Sequence, residues 1–287
     1  MKTIGSKSLA IAQGLKASIA SVPDSVLLLD SGESCPGDVL GNSCIVVADG
    51  LGIVELISQC QINGFRHVIQ NTTSEFAREI LLGSQLIGSP EAVMKEYGRT
   101  IMGATISNNE MIIPFTSTTE KDQTMDTILK YIKGTKGAGL LEDAAHLISD
   151  EMFTNALFNA PPAVTKEERA GRSRGKAFAI DPKMPAKFHL AHNDNQLMIA
   201  CEDPFGTLQE LGLLKSLQPP ETDNGLITVK QGPGGAGIGM RLMFNYCTEF
   251  YVLCRKTQKT VFVCVFPLHQ SEKVKALMSK NFHVAFF

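Results

Sequence analysis

The organisation of the chain follows from residues Asp150–Ala160, which read DEMFTNALFNA. Positions four residues apart in a helix lie on one face, so Glu151, Asn155 and Asn159 are predicted to form a polar stripe. The residues between them are largely apolar and can pack on a core, so the stripe must face a cleft or solvent. Hard cations such as Mg²⁺ take amide, phosphate and water oxygens as ligands, so this stripe suits a cleft that holds Mg²⁺ and phosphate.

The composition of the chain narrows the class of protein. The 287 residues are 44% hydrophobic and 20% charged, which allows for two hydrophobic cores. A formal net charge of −2 argues against a dedicated nucleic-acid surface, because neutralising phosphates takes clustered Lys and Arg, but it leaves a small anionic ligand open. The seven cysteines form no CxxC pair and are expected to be reduced, which predicts a cytoplasmic protein. No apolar run reaches the length of a membrane span.

Residues 1–120 are predicted to form a small α/β domain with a parallel sheet. Met1–Val22 carries apolar residues at helical spacing, which favours an amphipathic helix over a signal peptide. Predicted strands then alternate with predicted helices, which is typical of parallel α/β folds. The strands are expected at 26–30, 44–49 and 64–70, and the helices at 52–61 and 74–82. Residues 100–116 predict a hairpin or a pair of strands around a polar turn, and 116–123 is the predicted domain boundary.

Within this first domain, Gly64–Leu86 resembles the last strand and last helix of response-regulator receiver domains. Gln70 and Asn71 stand where a working receiver carries a Lys, so the resemblance implies a degenerate receiver. The alternative is a structural α/β domain in which Asp30 and Asp49 simply end two strands.

Residues 121–287 are predicted to form a second domain of helices and antiparallel strands. Helices are expected at 125–132, 140–160, 209–217 and 239–246, and strands at 188–190, 196–201, 249–255 and 260–267. The basic segment Pro161–Lys176 is interpreted as a solvated loop. The polar-striped helix is followed by a strand that ends in Asp203-x-x-Gly206, and then by a glycine-rich turn into a helix, Gly234–Leu242, which reads GGAGIGMRL.

These three segments, in this order, resemble the nucleotide-binding boxes of the Bergerat-fold (GHKL) ATPases. This family includes histidine kinases, anti-sigma serine kinases, Hsp90-like chaperones and type II topoisomerases. The resemblance covers about residues 121–287, and the short ending after the last box is most similar to anti-sigma serine kinases and bacterial ATP-binding regulators. It implies an α+β two-layer sandwich that binds ATP and Mg²⁺.

The resemblance also implies roles for single residues. Asn155 matches the family's Mg²⁺-binding asparagine, and Glu151 matches its general base. Asp203 matches the acid that accepts a hydrogen bond from the adenine amino group, and Gly206 the glycine beside it. The glycines on the phosphate side are Gly235, Gly237 and Gly239, because glycine lets backbone N–H groups approach a phosphate at a helix N-terminus.

Two further residues complete the expected nucleotide site. Asn159 continues the polar stripe by one turn. Phe205 stands where the family usually has a glycine, since its pattern is Asp-x-Gly-x-Gly, and an aromatic ring at this position can pack on the base.

A lesser alternative is a dinucleotide-binding protein. Gly232, Gly234 and Gly237 satisfy the GxGxxG spacing and follow the strand-like segment Leu226–Lys230. Only about 50 residues remain after Gly237, and they end in two adjacent strands, whereas a dinucleotide-binding domain needs further βαβ units and an acid for the ribose.

The leading hypothesis is a cytoplasmic signalling protein that binds Mg-ATP in its second domain and a regulatory protein partner through its first. Transfer of phosphate to a protein Ser or Thr would use Glu151 to take the hydroxyl proton, with Leu208–Gln231 as a lid. The alternative is a non-catalytic ATP-dependent regulator, in which nucleotide orders the lid and the partner binds the ordered form. The sequence leaves open whether the protein is a serine kinase or an ATPase, and whether it forms a homodimer.

Overall fold

The structure is a computed structural model that describes residues 2–4, 27–30, 33, 43–48, 53–70, 76–103, 110–162, 177–218, 222–223, 226–227, 238–269 and 280–287. The amphipathic helix expected within Met1–Val22 and most of the basic segment Pro161–Lys176 lie outside these residues.

The strands in the described ranges are β1 (Lys2–Ile4), β2 (Leu27–Asp30), β3 (Cys44–Val47), β4 (His67–Ile69), β5 (Met111–Phe115), β6 (Ala186–His192), β7 (Gln196–Asp203), β8 (Thr222–Asp223), β9 (Leu226–Ile227), β10 (Glu249–Arg255), β11 (Lys259–Pro267) and β12 (Asn281–Phe286). The α-helices there are α1 (Ile53–Asn63), α2 (Phe76–Gly88), α3 (Pro90–Lys95), α4 (Tyr97–Met102), α5 (Lys121–Gly134), α6 (Glu142–Thr154), α7 (Glu210–Leu217) and α8 (Ile238–Tyr246). Short 3-10 turns cover Thr118–Glu120 and Gly139–Leu141.

Ten of these strands form one mixed sheet in the order β1-β2-β3-β4-β12-β10-β11-β7-β6-β5. The strands β1 to β4 are parallel to each other, and β10, β11, β7, β6 and β5 are antiparallel neighbours. The strand β12 joins the two parts, because it pairs antiparallel with β4 and parallel with β10. The expected mixed α/β class is therefore confirmed. The sheet is continuous across residue 120, and the division into two domains there stays a prediction.

Successive strand residues point to opposite faces of the sheet, and helices cover the apolar residues on both faces. We name the two faces after α6 and α2, the helices that pack on them. The α6 face carries Phe250 and Val252 and packs under α1, α5, α6, α7 and α8. The α2 face carries Tyr251 and Leu253 and packs under α2, α3 and α4. All described helices from the second predicted domain lie on the α6 face. The α2 face is covered by residues 76–102 from the first, so the sheet as a whole lies in a three-layer arrangement.

One predicted strand is wrong. Residues 97–102 form the helix α4, where a strand beginning at Thr100 is predicted. Tyr97 and Ile101 are one helical turn apart, and both are buried against the α2 face, so packing decided between helix and strand. No strand is predicted over 281–286, where the structure has β12. None of the helices in the described part of the chain is long and apolar enough to cross a membrane.

Candidate functional site

The polar stripe lies on α6 and on the single π-helical turn, Asn155–Asn159, that continues it. The Ala160 N–H donates to the Asn155 carbonyl at 2.8 Å, which is the five-residue spacing of a π turn. Met152 and Leu157 are buried on the α6 face, while Glu151 and Asn155 are half-buried and Asn159 is exposed. Single π turns occur often at functional sites.

Hydrogen bonds join the three side chains of the stripe in a line. Asn155 Nδ2 donates to Glu151 Oε1 at 3.0 Å, and Asn159 Nδ2 donates to Asn155 Oδ1 at 2.7 Å. An amide oxygen has two lone pairs, so Asn155 Oδ1 retains one for a cation. The line thus orients Asn155 without using up its ligand capacity.

The environment of Glu151 favours the protonated form of its carboxyl group. Burial raises the pKa of Glu151, its hydrogen bond from Asn155 opposes this, the neighbouring Asp150 charge raises it further, and Lys121 lowers it. Lys121 is held nearby by an ion pair with Asp150. A carboxylate with a raised pKa is a better proton acceptor, which is a property expected of a general base.

The first turn of α8 lies directly against the Glu151 carboxyl group. A Cβ added to Gly239 would stand 1.8 Å from Glu151 Cδ and 2.1 Å from Oε2, so only glycine leaves room for this contact. A helix N-terminus carries partial positive charge and stabilises an anion placed there. The structure therefore brings together the polar stripe and Gly239, one of the three glycines predicted to lie on the phosphate side. Gly235 and Gly237 lie outside the described residues.

Asp203 ends β7 and closes the turn that follows. Its Oδ1 accepts hydrogen bonds from the backbone N–H groups of Phe205 at 2.9 Å and Gly206 at 3.3 Å. Burial raises the pKa of Asp203 to about 6; hydrogen bonds from Phe205, Thr260 and Gly206 oppose the rise, and the charge of Glu202 adds to it. Asp203 is therefore chiefly ionised at neutral pH, and one of its oxygens stabilises the local turn.

Gly206 has a steric reason to be glycine. Its φ of +58° lies in the left-handed region, and a Cβ there would stand 2.1 Å from the Arg255 carbonyl oxygen. The Thr257 N–H donates to the Gly206 carbonyl at 3.0 Å. The turn after Asp203 thus packs tightly on the β10–β11 hairpin, and any contact of Gly206 with a nucleotide stays a prediction.

Further contacts connect the turn after β7 to the end of the polar stripe near Asn159. Thr207 Oγ1 donates to the Ala160 carbonyl at 2.6 Å, one residue beyond the π turn. Phe205 is half-buried and packs against the core of the α6 face, and its stacking on a base stays a prediction. Asp203 and Asn159 consequently belong to one connected region of the molecule.

The ligands available for Mg²⁺ are few. Among the described residues, no three His, Cys, Asp or Glu side chains come together as a metal site. Asn155 fits Mg²⁺ by its chemistry, since it offers an oxygen, but a Mg²⁺ there would draw most of its shell from phosphate and water.

A second polar cluster was not foreseen from the sequence. It lies on the α2 face and consists of seven side chains from α2, β4, β7, β10 and β12, which we term the α2-face network: His67, Arg78, Glu79, Gln196, Glu249, Tyr251 and His283. The signals in the sequence are weak, because no local motif links these residues. Only the pairing of strands distant in the chain assembles the cluster.

No model of a known protein family matches the chain, and no curated protein matches it.

Proposed function

We propose that the protein binds Mg-ATP on the α6 face, between the polar stripe, the turn after β7 and the start of α8. In this proposal Asn155 binds Mg²⁺, Asp203 binds the adenine amino group, and the α8 end with Gly239 faces the phosphates. The observation that carries it is the contact between Glu151 and Gly239. These two residues belong to predicted nucleotide-binding segments that are far apart in the sequence but are in contact in the structure. Nucleotide binding would require these segments to be neighbours.

The layout of the second half of the chain supports a Bergerat-type domain. An antiparallel sheet, β5-β6-β7-β11-β10, carries α5, α6 and α8 on a single face. The candidate site lies on that same face. We infer a cytoplasmic signalling protein whose first 120 residues contact a regulatory partner, and in which ATP serves phosphoryl transfer to a protein Ser or Thr.

The raised pKa of Glu151 supports the catalytic version of this function. A general base acts in the transition state more than in the ground state. A carboxylate held between Asn155 and the α8 N-terminus is positioned to take a hydroxyl proton close to where a phosphate would lie.

Nucleotide binding is tested by thermal unfolding with ATP and Mg²⁺. A ligand at about 100 times its Kd stabilises the native state by roughly 2.7 kcal/mol. Asn155→Ala should remove the Mg²⁺-dependent part of the shift, whereas Asn245→Ala, an exposed amide on α8, should not change it.

Asp203→Asn should weaken ATP binding, and equal wild-type affinity for ATP and GTP would rule out the role given to Asp203.

Catalysis is tested separately with radiolabelled ATP and candidate partner proteins. Glu151→Gln should keep ATP affinity and lower phosphoryl transfer by roughly 10²–10⁴. Asp143→Asn, an exposed acid two turns earlier on α6, is the matched control. If the wild type binds ATP but labels no protein, the non-catalytic regulator replaces the kinase. If Glu151→Gln abolishes ATP binding, Glu151 is not acting as a base.

A further inference from the structure

A cleft of ≈ 390 Å³ lies on the α2 face, between the α3–α4 segment and the strands β5, β6 and β7. Residues Lys95–Arg99 form one wall, and the floor includes Ile112, Lys187, His189 and Glu202. The cleft is open to solvent, and its volume is within the range of small-molecule sites, about 300–1,000 Å³. The charged side chains around it decide what it can bind.

The cleft is separate from the residues proposed to bind ATP. Glu202 and Asp203 are neighbours at the end of β7, but successive strand residues point to opposite faces. Ala200 packs in the core of the α2 face and Cys201 in the core of the α6 face. Glu202 therefore faces the cleft, while Asp203 lies on the side of the proposed ATP site.

One end of the cleft carries an excess of positive charge. Lys187 Nζ lies 3.4 Å from Glu202 Oε1, and Lys259 Nζ lies 3.1 Å from Glu202 Oε2. One carboxylate thus faces two ammonium groups and neutralises only one of them. The two lysine side chains are 41% and 38% exposed, whereas that of Glu202 is 12% exposed. The wall Lys95–Arg99 adds two cations and one acid, so the excess of positive charge is accessible from the cleft.

The other end of the cleft carries the carboxylate of Glu110. Its only ion-pair partner among the described residues is His189, whose Nε2 lies 3.5 Å from Glu110 Oε2. Burial lowers the pKa of His189, and the nearby carboxylates of Glu110 and Glu202 only partly oppose this, so the imidazole is chiefly neutral at pH 7. His189 therefore leaves the negative charge of Glu110 uncompensated.

Close packing fixes the imidazole of His189 between α4 and the sheet. A Cβ added to Gly98 would stand 2.6 Å from His189 Cε1, so glycine lets α4 approach the ring this closely. The ring of the buried Tyr97 contacts the imidazole edge-on, with centroids 5.4 Å apart. The uncharged ring that separates the two ends of the cleft is thus held in one position.

The spacing of the two ends suits a ligand with two opposite charges close together. Lys187 and His189 are two residues apart on β6, so their side chains leave the same face about 7 Å apart. Glu110 lies at the His189 end. An ammonium group and a carboxylate on one carbon atom, each with a hydrogen bond of about 3 Å, bridge a gap of this size.

We propose that this cleft binds a free amino acid with an apolar side chain, whose ammonium group binds Glu110 and whose carboxylate binds Lys187 and Lys259. A zwitterion neutralises both ends of the cleft, whereas a simple anion or cation neutralises one. The apolar surface for the side chain comes from Ile112, which is 60% exposed, and from Tyr97.

The first experiment titrates three probes into the wild-type protein by calorimetry, without nucleotide, so its result does not depend on the proposed function. The probes are L-leucine, 4-methylpentanoate, which lacks the ammonium group, and 3-methylbutylamine, which lacks the carboxylate. L-leucine should bind at least about tenfold more tightly than either analogue, because each charge-assisted hydrogen bond contributes about such a factor or more. Equal affinity for L-leucine and either analogue, or no saturable binding of L-leucine at roughly 10 mM, would overturn the proposal.

The second experiment repeats the titrations with variants at each end. Glu110→Gln should weaken L-leucine about tenfold and leave 4-methylpentanoate unchanged. Lys187→Met should weaken both of these probes, and it leaves Glu202 paired with Lys259, so no buried acid loses its last partner. Lys183→Met, at an exposed position outside the cleft, is the control and should change neither affinity. Unchanged L-leucine affinity in Glu110→Gln or in Lys187→Met would show that the ligand is not held between these two ends.

Discussion

The polar stripe and the α2-face network lie on opposite faces of one sheet and are built differently. The stripe on the α6 face takes Glu151, Asn155 and Asn159 from one helix, and it is half-buried or exposed. The α2-face network draws its members from five elements, and Glu79, Tyr251 and His283 within it are fully buried. Polar groups that face a cleft need only the right spacing along a helix. Polar groups inside a core need partners that tertiary structure supplies.

This contrast has an energetic counterpart. In the network, Arg78 Nη2 donates to Glu79 Oε1 at 2.7 Å and to Glu249 Oε1 at 2.9 Å, and Gln196 donates to the same Glu249 oxygen at 2.8 Å. Two carboxyl groups that share one cation and one proton carry no net charge together. Burying these groups is therefore energetically tolerable only while the cation and both carboxyl groups are all present. The stripe retains access to solvent, and loss of one member leaves the others hydrated.

Arg78→Ala should have the largest effect on the free energy of unfolding. Removing the cation leaves buried carboxyl groups without their partner and removes the hydrogen bond to the Ile101 carbonyl, so we expect a loss of about 3–5 kcal/mol. Denaturant unfolding measures it. The control is Arg255→Ala, whose ion pair with Glu91 at 3.3 Å is exposed and is expected to contribute about 0–1 kcal/mol. Similar losses in the two variants would contradict the distinction between the clusters.

Gly206→Ala should follow in size, because it forces a Cβ into the Arg255 carbonyl at a left-handed φ. We expect a loss of about 2–4 kcal/mol in the same unfolding assay. Gly134→Ala is the matched control, since nothing lies within 4 Å of the added Cβ. A near-neutral Gly206→Ala would show that the turn after Asp203 can shift to admit the Cβ.

The stability of the network should also depend on pH. The pKa of Glu249 is raised from 4.5 to about 7 by burial, then by Glu79, with Arg78, Tyr251 and Gln196 opposing. A folded state with a raised pKa retains its proton longer than the unfolded chain, so this contribution is complete below pH 4.5 and is lost as pH rises through 7. Between pH 6 and 8 the contribution of Glu249 to the free energy of unfolding should fall by about 1–2 kcal/mol.

Urea unfolding of wild type and Glu249→Gln at pH 6, 7 and 8 measures this dependence. The amide cannot titrate, so between pH 6 and 8 the stability of the variant should rise more, or fall less, than that of the wild type. The two histidines act in the opposite direction in both proteins, because their pKa values are lowered and their contribution is lost as pH falls below 6.5. The difference between the wild-type and variant slopes therefore isolates the contribution of Glu249. Equal slopes for wild type and variant would remove Glu249 as the shared-proton site.

Gly239→Ala should have the smallest effect on stability. The atoms that its Cβ would meet belong to the end of the Glu151 side chain, which can rotate away, and alanine favours a helix. We expect a change below about 1 kcal/mol, together with a reduced thermal shift by Mg-ATP if the proposed function is correct. A loss comparable to that of Gly206→Ala would mean that Glu151 is held as firmly as the buried network.

Local patterns predicted much of the fold. The helices α6, α7 and α8 and the strands β6, β7, β10 and β11 lie within a few residues of their predicted bounds. Their apolar residues recur at the period of a helix or a strand, and that period is a property of neighbouring residues. The line of Glu151, Asn155 and Asn159 follows from the same rule, while the roles of these residues in nucleotide binding stay predictions.

The sequence by itself determined the elements whose periodicity is unambiguous, together with the polar stripe that one of them carries. Tertiary structure decided that Tyr97–Met102 is a helix, that β12 enters the sheet between β4 and β10, and that the α2-face network exists. His67 and His283 are hydrogen-bonded only because β4 and β12 pair in one register. Strand register and burial depend on partners far away in the chain, and no short window of sequence contains both members of such a pair.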